Sequence, residues 1–226
     1  MPAALNPDLL RSLGRLVRGL SALFWGLPLA LFVCVQSAKM DWLQPFNIFP
    51  ALAATGLLLF GLFQIGSFQK QERPWRAALD RAKLLALINC GLSPFLFWWN
   101  CVPDNSFFSF TLALLALSGV LFLSSLNRVL QQLGDMLPDQ SLRHEMRQFT
   151  ALNRYMLAAV LLLAAVFLAM VQVREVPASL ERIFFLVNQL GQWLLLFLAL
   201  LPLALTMALI WKTKSVILAS IFGADH

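Results

Sequence analysis

Six long apolar runs alternate with short polar segments along the chain, at residues 20–38, 47–68, 84–101, 107–126, 155–173 and 192–211. A membrane-spanning helix needs about 20 mostly apolar residues, because the hydrocarbon layer is roughly 30 Å thick and each residue rises about 1.5 Å. None of the six runs contains Asp, Glu, Lys, Arg or His. A charge at mid-bilayer costs several kcal/mol, so their absence marks these runs as spans. The pattern predicts an all-α integral membrane protein of six transmembrane helices, a single polytopic domain over residues 1–226. Its largest soluble loop is expected at 127–154.

Shorter amphipathic stretches flank the spans. Asn6 is placed to cap a helix that opens on Pro7, and Leu9, Leu13, Leu16 and Val17 share one face of it. This basic helix either lies on an anionic membrane surface or extends the first span. In the 127–154 loop, Gly134, Pro138 and Asp139 are expected to break the chain, and a helix then runs from Ser141. Leu142, Met146, Phe149 and Leu152 form a stripe on it, a candidate docking face that packing against the bundle would equally explain. On the opposite side, Leu180, Ile183, Phe184 and Val187 line another amphipathic stretch, expected to rest on the outer leaflet. The tail 215–222 is apolar but too short to span, and is expected to lie on the surface.

Composition agrees with this division. Hydrophobic residues make up 60% of the 226 and charged residues 12%, against roughly 25% charged in a soluble domain. That excludes an ordinary water-soluble enzyme, a disordered chain and a coiled coil. The charges also choose an orientation. All but three of the 17 basic residues lie on one side: Arg11, Arg15, Arg18, Lys70, Arg73, Arg76, Arg81, Lys83, Arg128, Arg143, Arg147, Arg154, Lys212 and Lys214. Only Lys39, Arg174 and Arg182 lie opposite. Cytoplasmic segments carry such an excess, which puts both termini in the cytoplasm and suits a bacterial inner membrane. The net charge of +6 then reflects orientation and calls for no nucleic acid. Arg11, Arg15, Arg18, Arg73 and Arg76 are candidate contacts for anionic lipid.

Aromatic residues mark the expected boundaries, with Trp42, Trp98 and Trp99 outside and Trp75, Tyr155 and Trp211 inside. Trp25 falls within the first span and is read as a packing residue. That span is read as retained and not as a cleaved signal peptide, because a cut after Ala38 puts Gln36 where a small residue is wanted. A faint repeat runs through the chain. A small residue, Leu, any residue and Arg precede each odd span at Ser12–Arg15, Ala78–Arg81 and Ala151–Arg154. Pro28 and Pro94 share the 66-residue offset between the first two copies, but the pattern also occurs at 125–128 and 179–182.

Candidate chemistry is sparse. The chain has no HExxH, no P-loop and no CxxC, and its two histidines, His144 and His226, lie outside the spans. No catalytic residue, cofactor or metal is therefore expected. Cys34 and Cys101 both fall near the outer end of a span, close enough to allow a disulfide, although small buried hydrophobes are the ordinary reading. Amides and prolines inside spans are the remaining polar features. Gln36, Gln64, Asn89 and Pro94 are candidate cavity residues, with interhelical hydrogen bonding as the competing role. The sequence thus points to a non-catalytic polytopic subunit, a scaffold or accessory component whose partners are the bilayer and another membrane protein or a second copy. A transporter or channel for a neutral or amphiphilic solute is the alternative. A lipid-acting enzyme built on Asp139, His144 and Glu145 is a third.

Overall fold

The computed structural model describes residues 7–39, 48–68, 72–102, 105–136, 140–172 and 181–222; within the three longest helices it describes the side chains of 11–37, 143–165, 197 and 200–219. Everything described is helix or short turn, in the order α1 (Pro7–Lys39), α2 (Phe49–Ile65), α3 (Arg73–Leu92), α4 (Phe95–Cys101), α5 (Ser106–Met136), α6 (Gln140–Gln172) and α7 (Glu181–Phe222). Five stretches are long and apolar enough to cross a membrane: Arg11–Ser37, Arg73–Cys101 (α3 and α4 together), Ser106–Met136, Arg143–Ala165 and Leu200–Ala219. The sixth apolar helix, α2, has 17 residues, about 26 Å at 1.5 Å per residue.

Consecutive long helices run antiparallel. Gly19 of α1 meets Gly61 and Ile65 of α2, whereas Gly26 meets Leu58, so rising numbers in one match falling numbers in the other. The pairing of α2 with α3 follows the same rule, with Thr55 on Ser93 and Gly66 beside Lys83. In α6 and α7 it is Glu145 with Lys212 and Asn153 with Pro202. The core runs through all of them and includes Leu16, Leu20, Leu23, Leu62, Leu126, Leu130, Met146 and Ile210. Outward faces carry Phe60, Phe63, Leu87, Phe110, Tyr155 and Leu162. Large apolar side chains on the outside suit a solvent of lipid.

Pro94 divides α3 from α4, and the break shows its cause. Proline has no N–H to offer the carbonyl four residues back, here that of Cys90. The Ser93 hydroxyl donates to that carbonyl instead, at 2.9 Å. Ser93 is fully buried, and its oxygen lies 3.3 Å from Thr55 Oγ1, whose proton can go to it or to the nearer Ala51 carbonyl at 2.8 Å. Pro28 lies inside α1 without dividing it. The two prolines at equal offset therefore have unlike structural effects.

Several sequence expectations change. The 127–154 segment is mostly helix: α5 continues through Gly134 to Met136, and α6 begins at Gln140. Gly134 is a point of contact, not a breaker, because a Cβ there would lie 3.1 Å from Met146 Cγ and Sδ. The outer amphipathic stretch from Glu181, the last span and the tail to Phe222 form one helix, α7, of 42 residues. The tail packs inward, with Ile217 fully buried in the core. At the N-terminus α1 is continuous from Pro7, so its amphipathic part extends the first span; Asn6 lies outside the described residues. Trp75, expected in an aromatic belt, is 1% exposed and donates through Nε1 to the Phe68 carbonyl at 3.2 Å, bracing the α2–α3 turn. Trp25 is the reverse case. Expected to pack, it is 69% exposed and touches Phe24 edge-on at 5.4 Å.

Candidate functional site

Three helices that converge at the arginine-bearing end of the bundle leave a cavity of about 450 Å³ between them. From α3 it takes Pro74, Ala77, Ala78 and Arg81, spaced so that all four fall on one helical face. The end of α5 gives Ser124, Ser125, Asn127, Arg128, Gln131, Gln132 and Asp135, again a continuous face. Thr150, Arg154 and Leu157 come from α6. Apolar residues, several neutral hydrogen-bonding residues and three exposed arginines thus border one half-open space.

The charges around it are unbalanced. Asp135 is the carboxylate in the lining, and it is already engaged: Arg147 Nη2 lies 3.1 Å from its Oδ1 and Arg143 Nε 3.9 Å away. Arg81, Arg128 and Arg154 form no ion pair with a described residue. Two polar atoms of the lining, Gln132 Oε1 and Thr150 Oγ1, are buried without a hydrogen-bond partner among the described residues. A threonine in a helix ordinarily bonds its hydroxyl back to the preceding turn. Thr150 does not, and its hydroxyl oxygen is enclosed by the protein.

Beneath the cavity lies a buried polar cluster. Asn153 Nδ2 donates to Thr206 Oγ1 at 2.9 Å and to the Pro202 carbonyl at 3.3 Å. Thr206 Oγ1 is within 2.8 Å of the Pro202 carbonyl and 3.2 Å of Asn127 Oδ1, to either of which its proton can be given. Asn127 Nδ2 returns to its own helix at the Leu123 carbonyl, 3.0 Å away. Three helices, α5, α6 and α7, are thereby joined through one hydroxyl. In low dielectric each such bond is worth about 0.6–2 kcal/mol.

The cluster and the cavity come from one repeated sequence feature. Ser125-Leu126-Asn127-Arg128 and Ala151-Leu152-Asn153-Arg154 share Leu-Asn-Arg. In each copy the asparagine enters the buried cluster and the arginine, next in sequence, lines the cavity. Arg81, the arginine of the Ala78 copy, is the third. The pattern read along the sequence as a faint repeat therefore marks, at these three places, residues that line one space.

The other sequence candidates are scattered. Asn89, 7% exposed, bonds Ser118 of α5, and this α3–α5 bond lies deeper in the bundle than the cavity. Pro94 sits at the α3–α4 break, and Gln36 and Gln64 are half-buried in α1 and α2, away from the cavity lining. Met146 is fully buried and Phe149 packs on the core, while Leu152 is 48% exposed; the Leu142 side chain lies outside the described residues. The expected docking stripe is thus divided between core and surface. Arg11, Arg15, Arg18, Arg73 and Arg76 are exposed or half-exposed on α1 and α3, and none lines the cavity. His144 contacts Gln148 at 2.9 Å and Glu145 pairs with Lys212 across to α7, so these neighbours serve different contacts; Asp139 lies outside the described residues. Cys34 is half-buried and Cys101 exposed, and both are free thiols. Among the described residues no three His, Cys, Asp or Glu side chains gather as a metal site would require.

Set against protein-family models, curated proteins and solved structures, the chain matches none of them.

Proposed function

We propose that this chain is a six-span protein of the bacterial inner membrane, with both termini in the cytoplasm, acting as a non-catalytic scaffold or accessory subunit of a larger membrane complex. The observation that carries the reading is how the bundle uses its buried polar groups. Thr55 with Ser93, Asn89 with Ser118, and Asn127 and Asn153 with Thr206 each tie one helix to another. Polar side chains inside a membrane are costly unless paired. Asn153 Oδ1 has no partner among the described residues, but in each of these pairs the partner is the protein itself. That is what a framework needs. The transporter alternative gains less support, since Asn89 is taken up by Ser118 of α5 and the carbonyl freed at the Pro94 break by Ser93 beside it.

Six crossings are favoured by direction. Because α2 runs antiparallel to both α1 and α3, those two membrane-length helices point the same way. The chain must return across the bilayer between them, and α2 is the segment available. At about 26 Å it falls within the range of short spans. Single cysteines introduced at Asp80 and at Asn105, in a background with Cys34, Cys90 and Cys101 replaced, test this with a membrane-impermeant maleimide. The Asn105 site should react in intact cells and the Asp80 site only after permeabilisation. Reaction of the Asp80 site in intact cells would remove the six-span arrangement.

The subunit role is tested by crosslinking in intact membranes followed by extraction in mild detergent. A membrane protein recovered in fixed ratio, from membranes of the native source, is the expected result. Repeated recovery of this chain alone would overturn the reading.

A further inference from the structure

We propose that the cavity between α3, α5 and α6 binds the phosphate group of an anionic ligand, held by the guanidinium groups of Arg81, Arg128 and Arg154. Each arginine comes from a different helix, and all three line one space of about 450 Å³. Guanidinium is the side chain best matched to phosphate, because its planar fork gives parallel N–H donors and a charge that is never lost. Three such cations around a common space repel one another until an anion enters. Asp135 does not relieve them, since its carboxylate is shared between Arg147 and Arg143.

The neutral lining adds a second feature. Ser124, Ser125 and Gln131 offer hydroxyl and amide groups beside the arginines. A phosphate that carries hydroxyls is the better fit to this mixture than a bare anion. The volume is within the range of small-ligand sites, roughly 300–1,000 Å³.

Position points the same way. Leaving the apolar run that ends at Leu126, the first charge met is Arg128; entering the run that begins at Tyr155, the last is Arg154. Arg81 lies just outside the run that begins at Leu84. Its neighbour Lys83 is turned elsewhere, with Nζ 5.1 Å from the centre of the Phe63 ring on α2. The three arginines therefore stand where a bilayer's phosphate groups lie, and basic pockets between helices at that level hold lipid head groups. An anionic phospholipid head group and a soluble phosphate ester share the chemistry, and the test separates them.

Native mass spectrometry of the purified full-length chain in mild detergent reads binding directly, with phosphatidylglycerol, phosphatidylcholine and inorganic phosphate as probes. Phosphatidylglycerol is expected to be retained over phosphatidylcholine. Arg81→Gln, Arg128→Gln or Arg154→Gln should each weaken it about fivefold, and the triple variant on the order of a hundredfold. The triple Arg→Lys variant, which keeps the charge and loses the planar fork, should bind more weakly than the native chain and more tightly than the triple glutamine variant, and Lys214→Gln, outside the cavity lining, should leave binding unchanged. If the triple glutamine variant fails to fold, the single variants carry the comparison. Retention that inorganic phosphate does not displace assigns the lipid head group, whereas displacement by phosphate assigns a soluble ester; both support the site. Equal retention of the two lipids without any effect of phosphate, or binding undiminished in the arginine variants, overturns it. The inference rests on the chain spanning a membrane and not on its being a subunit, so a pull-down without a partner leaves it standing.

Discussion

The α1–α2 pair and the α5–α6–α7 group hold together by opposite means. Between α1 and α2 the contact is dry and close. A Cβ at Gly19 would sit 2.7 Å from Ile65 Cγ1 and 2.8 Å from the Gly61 carbonyl oxygen, and one at Gly26 only 2.9 Å from Leu58 Cδ2. Small residues let backbones approach and gain dispersion, which matters where lipid removes any hydrophobic drive between helices. The second group is held by amides and a hydroxyl, and it keeps an open cavity at its end. Close packing leaves no room for a ligand. Polar bonding tolerates a gap, and it places hydrogen-bonding groups beside it.

Substitutions test that contrast. The largest effect is expected from Gly19→Leu. Even a methyl there meets a backbone oxygen that cannot turn aside, and overpacking costs about 1–3 kcal/mol for modest insertions. A loss above about 3 kcal/mol should appear as a large drop in the thermal midpoint in detergent. Gly14→Ala is its control on the same helix: nothing lies within 4 Å of the added Cβ, so the better helix former should stabilise by up to about 1 kcal/mol. A similar loss from both would mean that close approach is not what holds the pair.

Thr206→Val keeps the shape of the side chain and removes the hydroxyl at the centre of the polar cluster. Asn127 Oδ1 and one Asn153 donor then lose their partner, for an expected loss of about 1–2 kcal/mol. Adding Asn153→Leu should recover part of it, because an apolar pair is cheaper than a half-satisfied one. Full additivity of the two changes in denaturation midpoints would show the groups to be uncoupled. Ser93→Ala leaves the Cys90 carbonyl short of one bond, while the Thr55 hydroxyl keeps the Ala51 carbonyl as acceptor at 2.8 Å; about 1 kcal/mol is expected. The smallest effect belongs to Glu145→Gln. Its pair with Lys212 is about two-fifths exposed on both sides, and such pairs contribute roughly 0–1 kcal/mol.

The helical, membrane-type architecture was readable because lipid as a solvent imposes a simple rule: long charge-free runs become helices. Helix ends obey a different rule. In the 127–154 segment, Gly134 and Pro138 look like breaks in sequence, yet α5 passes through Gly134 because a glycine there admits Met146 of α6. Local propensity lost to a tertiary contact. Trp75 and Trp25 exchanged roles for a related reason, since an indole in sequence does not say which neighbour faces it. The cavity was the least readable part. Arg81, Arg128 and Arg154 are far apart along the chain, and only antiparallel packing brings them to one level. Their shared motif was visible in the sequence but suggested repetition, whereas its meaning lies in contact.

The extension of α5 to Met136, some ten residues past the apolar run, adds about 15 Å of helix beyond Leu126. With the start of α6 packed on it through Asp135 and Met146, and α7 tied to α6 by the Glu145–Lys212 pair, the bundle ends in a packed helical post. A mobile loop in the same place would lose about 1–2 kcal/mol for each residue ordered on binding. A post has already lost that freedom in folding. Whatever meets this protein at its basic face meets a surface whose shape was settled before contact.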